Sequence, residues 1–132
     1  MSRENVEVVW LMFDAFNRGD VEGFAAALTE DATIVPLRAA LEDTVYQGPD
    51  AARDFWADAM EAWSELRVDL EDVRDCGDRC LALGSIKGKA RGSDAVVQTP
   101  AAWIAQVRGG RFAEVRTYTS HEEALEAVGL RE

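Results

Sequence analysis

The chain has 132 residues, 48% of them hydrophobic, which fits a single domain spanning residues 1–132 around one core. Its 25 acidic and 14 basic residues give a net charge of -11, so phosphate backbones and anionic membrane surfaces should repel it. The Lys and Arg residues are scattered beside Asp and Glu and form no basic patch. The first residues lack the apolar centre of a secretory signal, and no run approaches the ~18 apolar residues of a membrane span. We therefore expect a cytoplasmic protein that binds neither nucleic acid nor membrane.

The first 28 residues predict two helices joined by a tight turn. Ser2 can cap the first helix and Gly19 ends it, and Asp20 caps a second helix over residues 21–28. Two helices joined by so short a turn should pack against each other and against a common surface. The apolar positions of the first helix recur at helical spacing, at Val6, Val9, Trp10, Phe13 and Phe16, with Met12 at the edge of the stripe.

A short strand and a third helix follow. Residues 32–35 form a β-branched run that Pro36 stops, and residues 37–47 predict a loop that closes onto a short strand at residues 45–46. Pro49, placed at the first helical position, then opens the most regular helix of the sequence. The apolar face of this helix consists of Ala52, Phe55, Trp56, Ala59, Met60 and Trp63.

From Leu66 onward the apolar residues alternate, which predicts strands. A phase slip before Val73 indicates a β-bulge, residues 88–92 read as a loose connection, and the glycine pair at residues 109–110 predicts a tight hairpin. Ser120 and Glu123 form a capping box for a short last helix over residues 122–128. The first predicted strand runs from Leu66 through the bulge to the turn at Asp75, and the others cover residues 80–86, 96–107 and 112–119.

This order of elements predicts an α+β fold. A strongly curved, mostly antiparallel mixed sheet wraps around the three helices of the N-terminal half, and a short C-terminal helix follows. Because the helices can cover only part of the concave face, the cone that they form with the sheet should have an apolar interior.

Two cysteines, Cys76 and Cys80, flank a turn in the middle of the chain. A disulfide across such a turn is geometrically possible, but the sequence lacks the secretory signal that an oxidising compartment requires, so free thiols are the expectation. Two cysteines without a nearby histidine also supply fewer ligands than a structural zinc site takes. We expect neither a metal site nor a cofactor.

Three stretches of the chain resemble one known family. They read AFNRGDVEGFAAALTEDATIVP from residue 15, YQGPDAARDFW from residue 46 and VRGGRFAEVRTYTSHEEALEAVGL from residue 107. Together they resemble SnoaL-like proteins of the nuclear transport factor 2-like superfamily, which includes ketosteroid isomerase. The resemblance implies a cone-shaped α+β barrel, a pocket between helices and sheet, and often a homodimer through the outer sheet face. It does not imply one reaction, because the fold hosts isomerases, cyclases, epoxide hydrolases and binding modules.

The resemblance also allows the catalytic positions of ketosteroid isomerase to be compared. In that enzyme a carboxylate takes the proton, while a tyrosine and a protonated carboxylic acid bind the developing oxyanion. The tyrosine position falls on Met12, the base on or beside Pro36, and the neutral acid on Trp103 or Ala102. None of these side chains can exchange a proton in that role, so the resemblance implies the fold without this chemistry.

Most positions expected to face the interior are apolar, and we expect them to bind a small hydrophobic molecule. Aromatic and Met residues at helical spacing belong to a core more often than to a ligand site. Trp56 and Trp103 are the better pocket candidates, because relatives place pocket side chains at both positions and an indole suits an apolar ligand with a polar edge. The predicted pocket consists of Met12, Phe16, Pro36, Phe55, Trp56, Met60, Thr99, Trp103, Thr117 and Thr119.

Which face of the last strand points inward decides whether two charged side chains enter this pocket. Alternation places Phe112, Glu114, Arg116 and Tyr118 on one face and Ala113, Val115, Thr117 and Thr119 on the other. We expect the second set to face inward, which leaves Glu114 and Arg116 in a dimer contact or in solvent. If the other face points inward, Glu114 and Arg116 would lie in the cavity and could polarise a carbonyl or an epoxide.

Three functions therefore remain open. The first is a small-molecule binding protein, or an enzyme of undetermined chemistry. The second is a ketosteroid isomerase-like isomerase or polyketide cyclase with a non-standard acid or base, for which Glu114, Lys87, Tyr46 and Glu42 are the weak candidates. The third is a dimeric interaction module whose cone is filled by its own side chains. His121, the only histidine, is expected at the surface.

Overall fold

The computed structural model describes residues 2–36 and 45–130, so most of the loop predicted over residues 37–47, including Glu42, lies outside the described residues. Four helices are described: α1 (Ser2–Arg18), α2 (Val21–Ala26), α3 (Ala51–Ala62) and α4 (His121–Ala127). The strands are β1 (Leu28–Val35), β2 (Tyr46–Gln47), β3 (Trp63–Asp75), β4 (Arg79–Ala90), β5 (Val96–Arg108) and β6 (Arg111–Tyr118).

The strands form one mixed sheet in the order β2-β1-β6-β5-β4-β3. Only β1 and β6 run parallel, and the other neighbouring strands are antiparallel. Because β2 and β3 lie at opposite edges, the sheet does not close on itself. The predicted α+β fold is confirmed as an open cone. Among the described residues, no helix is both long enough and apolar enough to span a bilayer.

Local sequence signals end α1 and begin α2 as predicted. Gly19 has a φ of 76°, a left-handed conformation that stops α1 at little steric cost. The Asp20 side chain accepts a hydrogen bond from the Gly23 N–H at 2.9 Å and caps α2. This helix ends at Ala26, earlier than predicted, because Leu28 already pairs with β6.

The prediction of Pro49 as the first residue of α3 is wrong. Gly48 has a φ of 100°, and its carbonyl accepts a hydrogen bond from the Ala51 N–H at 3.1 Å. Pro49 is therefore part of a turn, and α3 begins at Ala51. The prediction of a loose connection at residues 88–92 is also wrong in part, because β4 continues to Ala90. Gly88 lies under the Trp63 indole, which a Cβ there would approach to 2.8 Å.

Helices α1, α2 and α3 pack on one face of the sheet, which we call the cone face. Trp10 departs from the predicted stripe with 43% exposure, whereas Met12, expected at the edge, is 1% exposed. The spacing of 3, 4 and 7 residues from Val9 explains this, since it centres the buried stripe away from Trp10. The buried side chains of this core include Val9, Met12, Phe13, Phe16, Phe24, Trp103, Phe112 and Val115.

Helix α4 packs on the opposite face of the sheet, which we call the outer face. Ser120 caps it as predicted, because its hydroxyl oxygen accepts a hydrogen bond from the Glu123 N–H at 3.2 Å. Arg79 donates to the carbonyl of Ala127 at 3.2 Å and holds the other end. A second, smaller core lies beneath the helix and consists of Leu81, Leu83, Ala102, Ile104, Ala124 and Leu125.

Strand β3 is an edge strand, and one side chain of α1 forms hydrogen bonds with backbone groups on its open edge. The Asn17 amide donates to the Val68 carbonyl at 2.8 Å and accepts from the Val68 N–H at 2.8 Å. The amide thus pairs with Val68 as a neighbouring strand would, and it fixes the end of α1 against the sheet. Two such bonds contribute roughly 1–3 kcal/mol.

Two of the irregularities in strand register are β-bulges that change which side chains share a face. The register between β3 and β4 passes from Leu70 opposite Gly84 to Asp72 opposite Leu83, so Glu71 is an additional residue and the predicted bulge is confirmed. A second bulge leaves Ala113 without a partner on β5. This bulge turns Phe112 toward the cone face with 1% exposure, so the prediction that Phe112 shares a face with Glu114 is wrong.

Candidate functional site

Five aromatic side chains, which we call the aromatic cluster, meet on the cone face. The ring of Phe16 lies 5.7 Å from that of Phe24, 6.1 Å from that of Phe55 and 5.3 Å from that of Trp56, measured between ring centroids. The fifth ring, Tyr46, is 5.7 Å from Phe55. Phe16 and Phe24 are buried, whereas Phe55 and Trp56 keep part of their surface in solvent. The cluster therefore runs from the core to an accessible edge.

The positions that align with the catalytic groups of ketosteroid isomerase lie deeper. Met12 is 1% exposed and Trp103 is 5% exposed, and Pro36 is also buried. The Trp103 indole packs against Phe13, with ring centroids 4.9 Å apart. In the described residues these side chains therefore fill the cone beneath α1 rather than stand free in it.

The remaining predicted pocket residues divide between two places. Thr117 is opposite Trp103 on the cone face and is half-buried, as is Met60 on α3. Thr99 and Thr119 instead line a depression at the end of β6. The structure brings the rings of Phe16, Phe55 and Trp56 into contact, but it places these two threonines beside a different set of residues.

The charged candidates for acid or base chemistry lie mostly on the outer face. Register places Glu114 opposite Gln106 and Arg116 opposite Ile104, on the face that carries α4, as strand alternation predicts for the outward set. Arg116 Nε lies 3.4 Å from a Glu114 carboxylate oxygen. Lys87 is exposed. Glu42 lies outside the described residues.

Tyr46 is the candidate that reaches the aromatic cluster. Its side chain is 8% exposed, and its hydroxyl donates to a carboxylate oxygen of Asp58 on α3 at 2.5 Å. A hydrogen bond this short to an ionised acceptor is of the stronger kind. It fixes β2 against α3 and directs a polar group to one side of the cluster.

Two depressions that sequence reasoning missed lie away from the aromatic cluster. One, of about 580 Å³, lies where β6 ends and has residues from β3, β4, β5 and α4 in its walls. The other, of about 590 Å³, lies at the β5–β6 hairpin beside Asp31 and Arg108. There, hydrogen bonds from Thr29 and from Arg108 hold the pKa of the Asp31 carboxyl below its ordinary value.

His121 is half-buried and not simply a surface residue, which corrects the expectation. Its Nε2 lies 2.8 Å from the Gly84 carbonyl oxygen and 3.1 Å from the Ala101 carbonyl oxygen. The ring thus joins the start of α4 to two adjacent strands. The signal for this contact was weak, since only the position of His121 directly after the capping Ser120 suggests that its ring turns back onto the sheet.

The two cysteines are free and lie on different faces of the sheet. Cys80 belongs to the core on the cone face, whereas Cys76 packs beside the α4 core. Burial raises the pKa of the Cys80 thiol to about 11, and burial also raises the pKa of Cys76. Protonated thiols are poor nucleophiles and poor metal ligands. Among the described residues, no three His, Cys, Asp or Glu side chains are grouped to hold a metal ion.

Comparison with known proteins identifies the family and the fold. A family model for the SnoaL-like domain matches residues 10–115. No curated protein sequence matches the chain. A solved nuclear transport factor 2-like protein of unknown function from Burkholderia pseudomallei is 19% identical, with a TM-score of 0.79, over 96% of this chain and 98% of that one.

Two further solved structures share the fold. TerC, co-crystallised with polyporic acid, is 16% identical, with a TM-score of 0.79, over 95% of this chain and 98% of that one. A protein with a ketosteroid isomerase-like fold from Catenulispora acidiphila, in complex with trimethylamine, is 18% identical, with a TM-score of 0.77, over 94% and 93%. Identities this low show the fold and not the reaction. Since the family match extends from α1 into β6, the chain belongs to the SnoaL-like family.

Proposed function

We propose that this SnoaL-like domain binds a small, mostly apolar molecule against the aromatic cluster. The observation that carries the proposal is the partial exposure of Phe55 and Trp56 at the end of a continuous set of ring contacts. A ligand that covers these two rings removes apolar surface from water, at about 25 cal/mol per Å². The interaction needs no ionised partner.

Polar groups at one side of the cluster would orient such a ligand. The Trp56 indole supplies one N–H donor, and the carboxylate of Asp58 lies beside the Tyr46 hydroxyl. A hydrophobic molecule with one polar edge, such as a steroid, terpene or polyketide-like aromatic compound, fits this distribution. Two solved relatives of the same fold contain small organic molecules, polyporic acid and trimethylamine, which supports a ligand-binding role.

A second candidate function follows from the burial of the deeper residues. Met12 and Trp103 are almost fully buried, which favours a cone filled by its own side chains. In that case the domain is an interaction module, and the homodimer through the outer face that the family resemblance implies is its working form.

Thermal-shift screening of steroids, terpenes and polyketide-like aromatics tests the proposal. A ligand that binds only the folded protein must raise the melting temperature as its concentration rises. Trp56→Ala should weaken the binding of such a ligand about tenfold, because stacking on one aromatic face contributes on the order of 1 kcal/mol or more. Trp10→Ala is the matched control, since this indole is 43% exposed on α1 and lies outside the cluster.

Two results would oppose the proposal. If Trp56→Ala lowers stability but leaves every ligand affinity unchanged, Trp56 is a core residue. If no compound of the panel raises the melting temperature, the second candidate function is favoured, in which side chains of the protein fill the cone and the domain acts as an interaction module.

A further inference from the structure

The depression at the end of β6 lies on the outer face and is separate from the aromatic cluster. Ser85 and Pro100 are directly opposite each other in its wall. They lie two residues beyond Leu83 and Ala102, which contact α4, so alternation places them on the same outer face. Strand β6 pairs with β5 only as far as Ala102, which leaves space beside the start of α4.

His121 contributes an imidazole whose tautomer is fixed by the sheet. Its Nε2 has two neighbours within hydrogen-bond distance, and both are carbonyl oxygens, at 2.8 Å from Gly84 and 3.1 Å from Ala101. Carbonyl oxygens accept only, so Nε2 must carry the proton and donate. In the neutral ring, Nδ1 is then the acceptor. Within the described part of the chain, Nδ1 has no hydrogen-bond partner.

Glu71 contributes a carboxylate to the same depression. It is the additional residue of the bulge in β3, so it has no cross-strand neighbour on β4. Its side chain is exposed and forms no ion pair with any described residue. Among the described residues no Lys or Arg lines the depression, and the other polar side chains in its walls are Ser85, Gln98, Thr99, Thr119 and Ser120.

We propose that this depression is a second ligand site, which binds a small primary ammonium group between the Glu71 carboxylate and Nδ1 of His121. An ammonium group has N–H donors for both acceptors, and its charge matches the single charged side chain of the wall. The neighbouring hydroxyl and amide groups can accept its remaining N–H groups. The site thus differs from the aromatic cluster in both face and ligand chemistry.

Other ligand classes fit the same walls less well. A carboxylate or phosphate would meet Glu71 and an imidazole acceptor without any cation to balance its charge. A hard metal ion requires several oxygen ligands, and one carboxylate is too few. A neutral alcohol could donate to Nδ1 but would gain nothing from the charge of Glu71.

Nitrogen NMR tests the first step directly, because the chain has a single histidine. Long-range proton–nitrogen correlation spectra, recorded at pH values where the ring is neutral, should show Nε2 protonated and Nδ1 bare. Titration with n-butylammonium should then shift the Nδ1 resonance saturably, with a smaller effect from n-butanol and none from butyrate. A ring protonated at Nδ1, or the absence of any saturable shift with n-butylammonium, overturns the proposal.

Substitutions test the second acceptor. Glu71→Gln should weaken n-butylammonium binding about fivefold, as expected for a partly exposed ion pair, and should leave n-butanol binding unchanged. Glu65→Gln is the matched control, because Glu65 is an exposed carboxylate on the same strand that does not line the depression. Equal weakening by both substitutions would show that only the net charge of the protein attracts the amine, and the site would be refuted. Ligands of the aromatic cluster should bind equally to Glu71→Gln and the unmodified chain, so failure of one site is distinguishable from failure of the other.

Discussion

The two faces of the sheet are covered to very different extents. Three helices cover the cone face, and β5 presents Ala101, Trp103 and Ala105 to them. On the outer face one helix of seven residues covers Ala102 and Ile104 of the same strand. Beside the start of α4 the outer face becomes polar, around His121 and Glu71. The difference indicates that the cone face supplies most of the stability, while the proposed second site consists of residues outside both cores.

The largest loss of stability is expected from a substitution in the core of the cone face. Trp103→Ala should lower the free energy of unfolding by about 3–5 kcal/mol, because it removes a nearly buried indole and its contact with Phe13. Urea unfolding measures this change. Trp10→Ala, on the exposed side of α1, should change stability by far less. A loss below about 1 kcal/mol for Trp103→Ala would mean that its indole projects into a hollow cone, and the comparison of the two faces would fail.

The corresponding substitution on the outer face should cost less. Leu125→Ala should lower the free energy of unfolding by about 2–4 kcal/mol, because Leu125 is 2% exposed but belongs to a small core. Glu126→Ala on the exposed side of the same helix is the control and should be close to neutral. If Leu125→Ala proves as costly as Trp103→Ala, the small α4 core is as important to stability as the cone.

The fold was accessible from the sequence because its local signals agree with one another. Gly19, Asp20, the glycine pair at residues 109–110 and Ser120 each end or begin an element as predicted. Errors occurred where packing decides between local options. Pro49 suits a helix start and a turn equally, and the hydrogen bond to the Gly48 carbonyl selects the turn. Phe112 and Val115 are three residues apart and both buried, a spacing that would have revealed the second bulge.

The candidate sites were less accessible than the fold. Helical periodicity identifies Phe16, Phe55 and Trp56 as inward positions, and only the structure shows that their rings are in contact. The outer depression was not predicted, because Glu71, Ser85, Gln98 and Thr119 come from three strands and from the turn after β6, and they share no spacing. Only strand pairing brings such residues together, and register depends on both bulges. Sequence periodicity therefore identifies a face more readily than a site at its rim.

The smallest predicted effect is a pH dependence of the free energy of unfolding, caused by the buried thiol of Cys80 on the cone face. The thiol of Cys80 on the cone face keeps its proton until its pKa of about 11, whereas an unperturbed cysteine loses it near 9.0. Between these values the unfolded chain binds fewer protons than the folded one, so the free energy of unfolding must fall as pH rises. Relative to Cys80→Ala, the unmodified chain should lose on the order of 1 kcal/mol between pH 8 and pH 10, measured by urea unfolding. Other titrating groups are common to both proteins and cancel in the difference. Parallel pH profiles would show that water reaches Cys80, and the cone face would then be less tightly packed than its burial indicates.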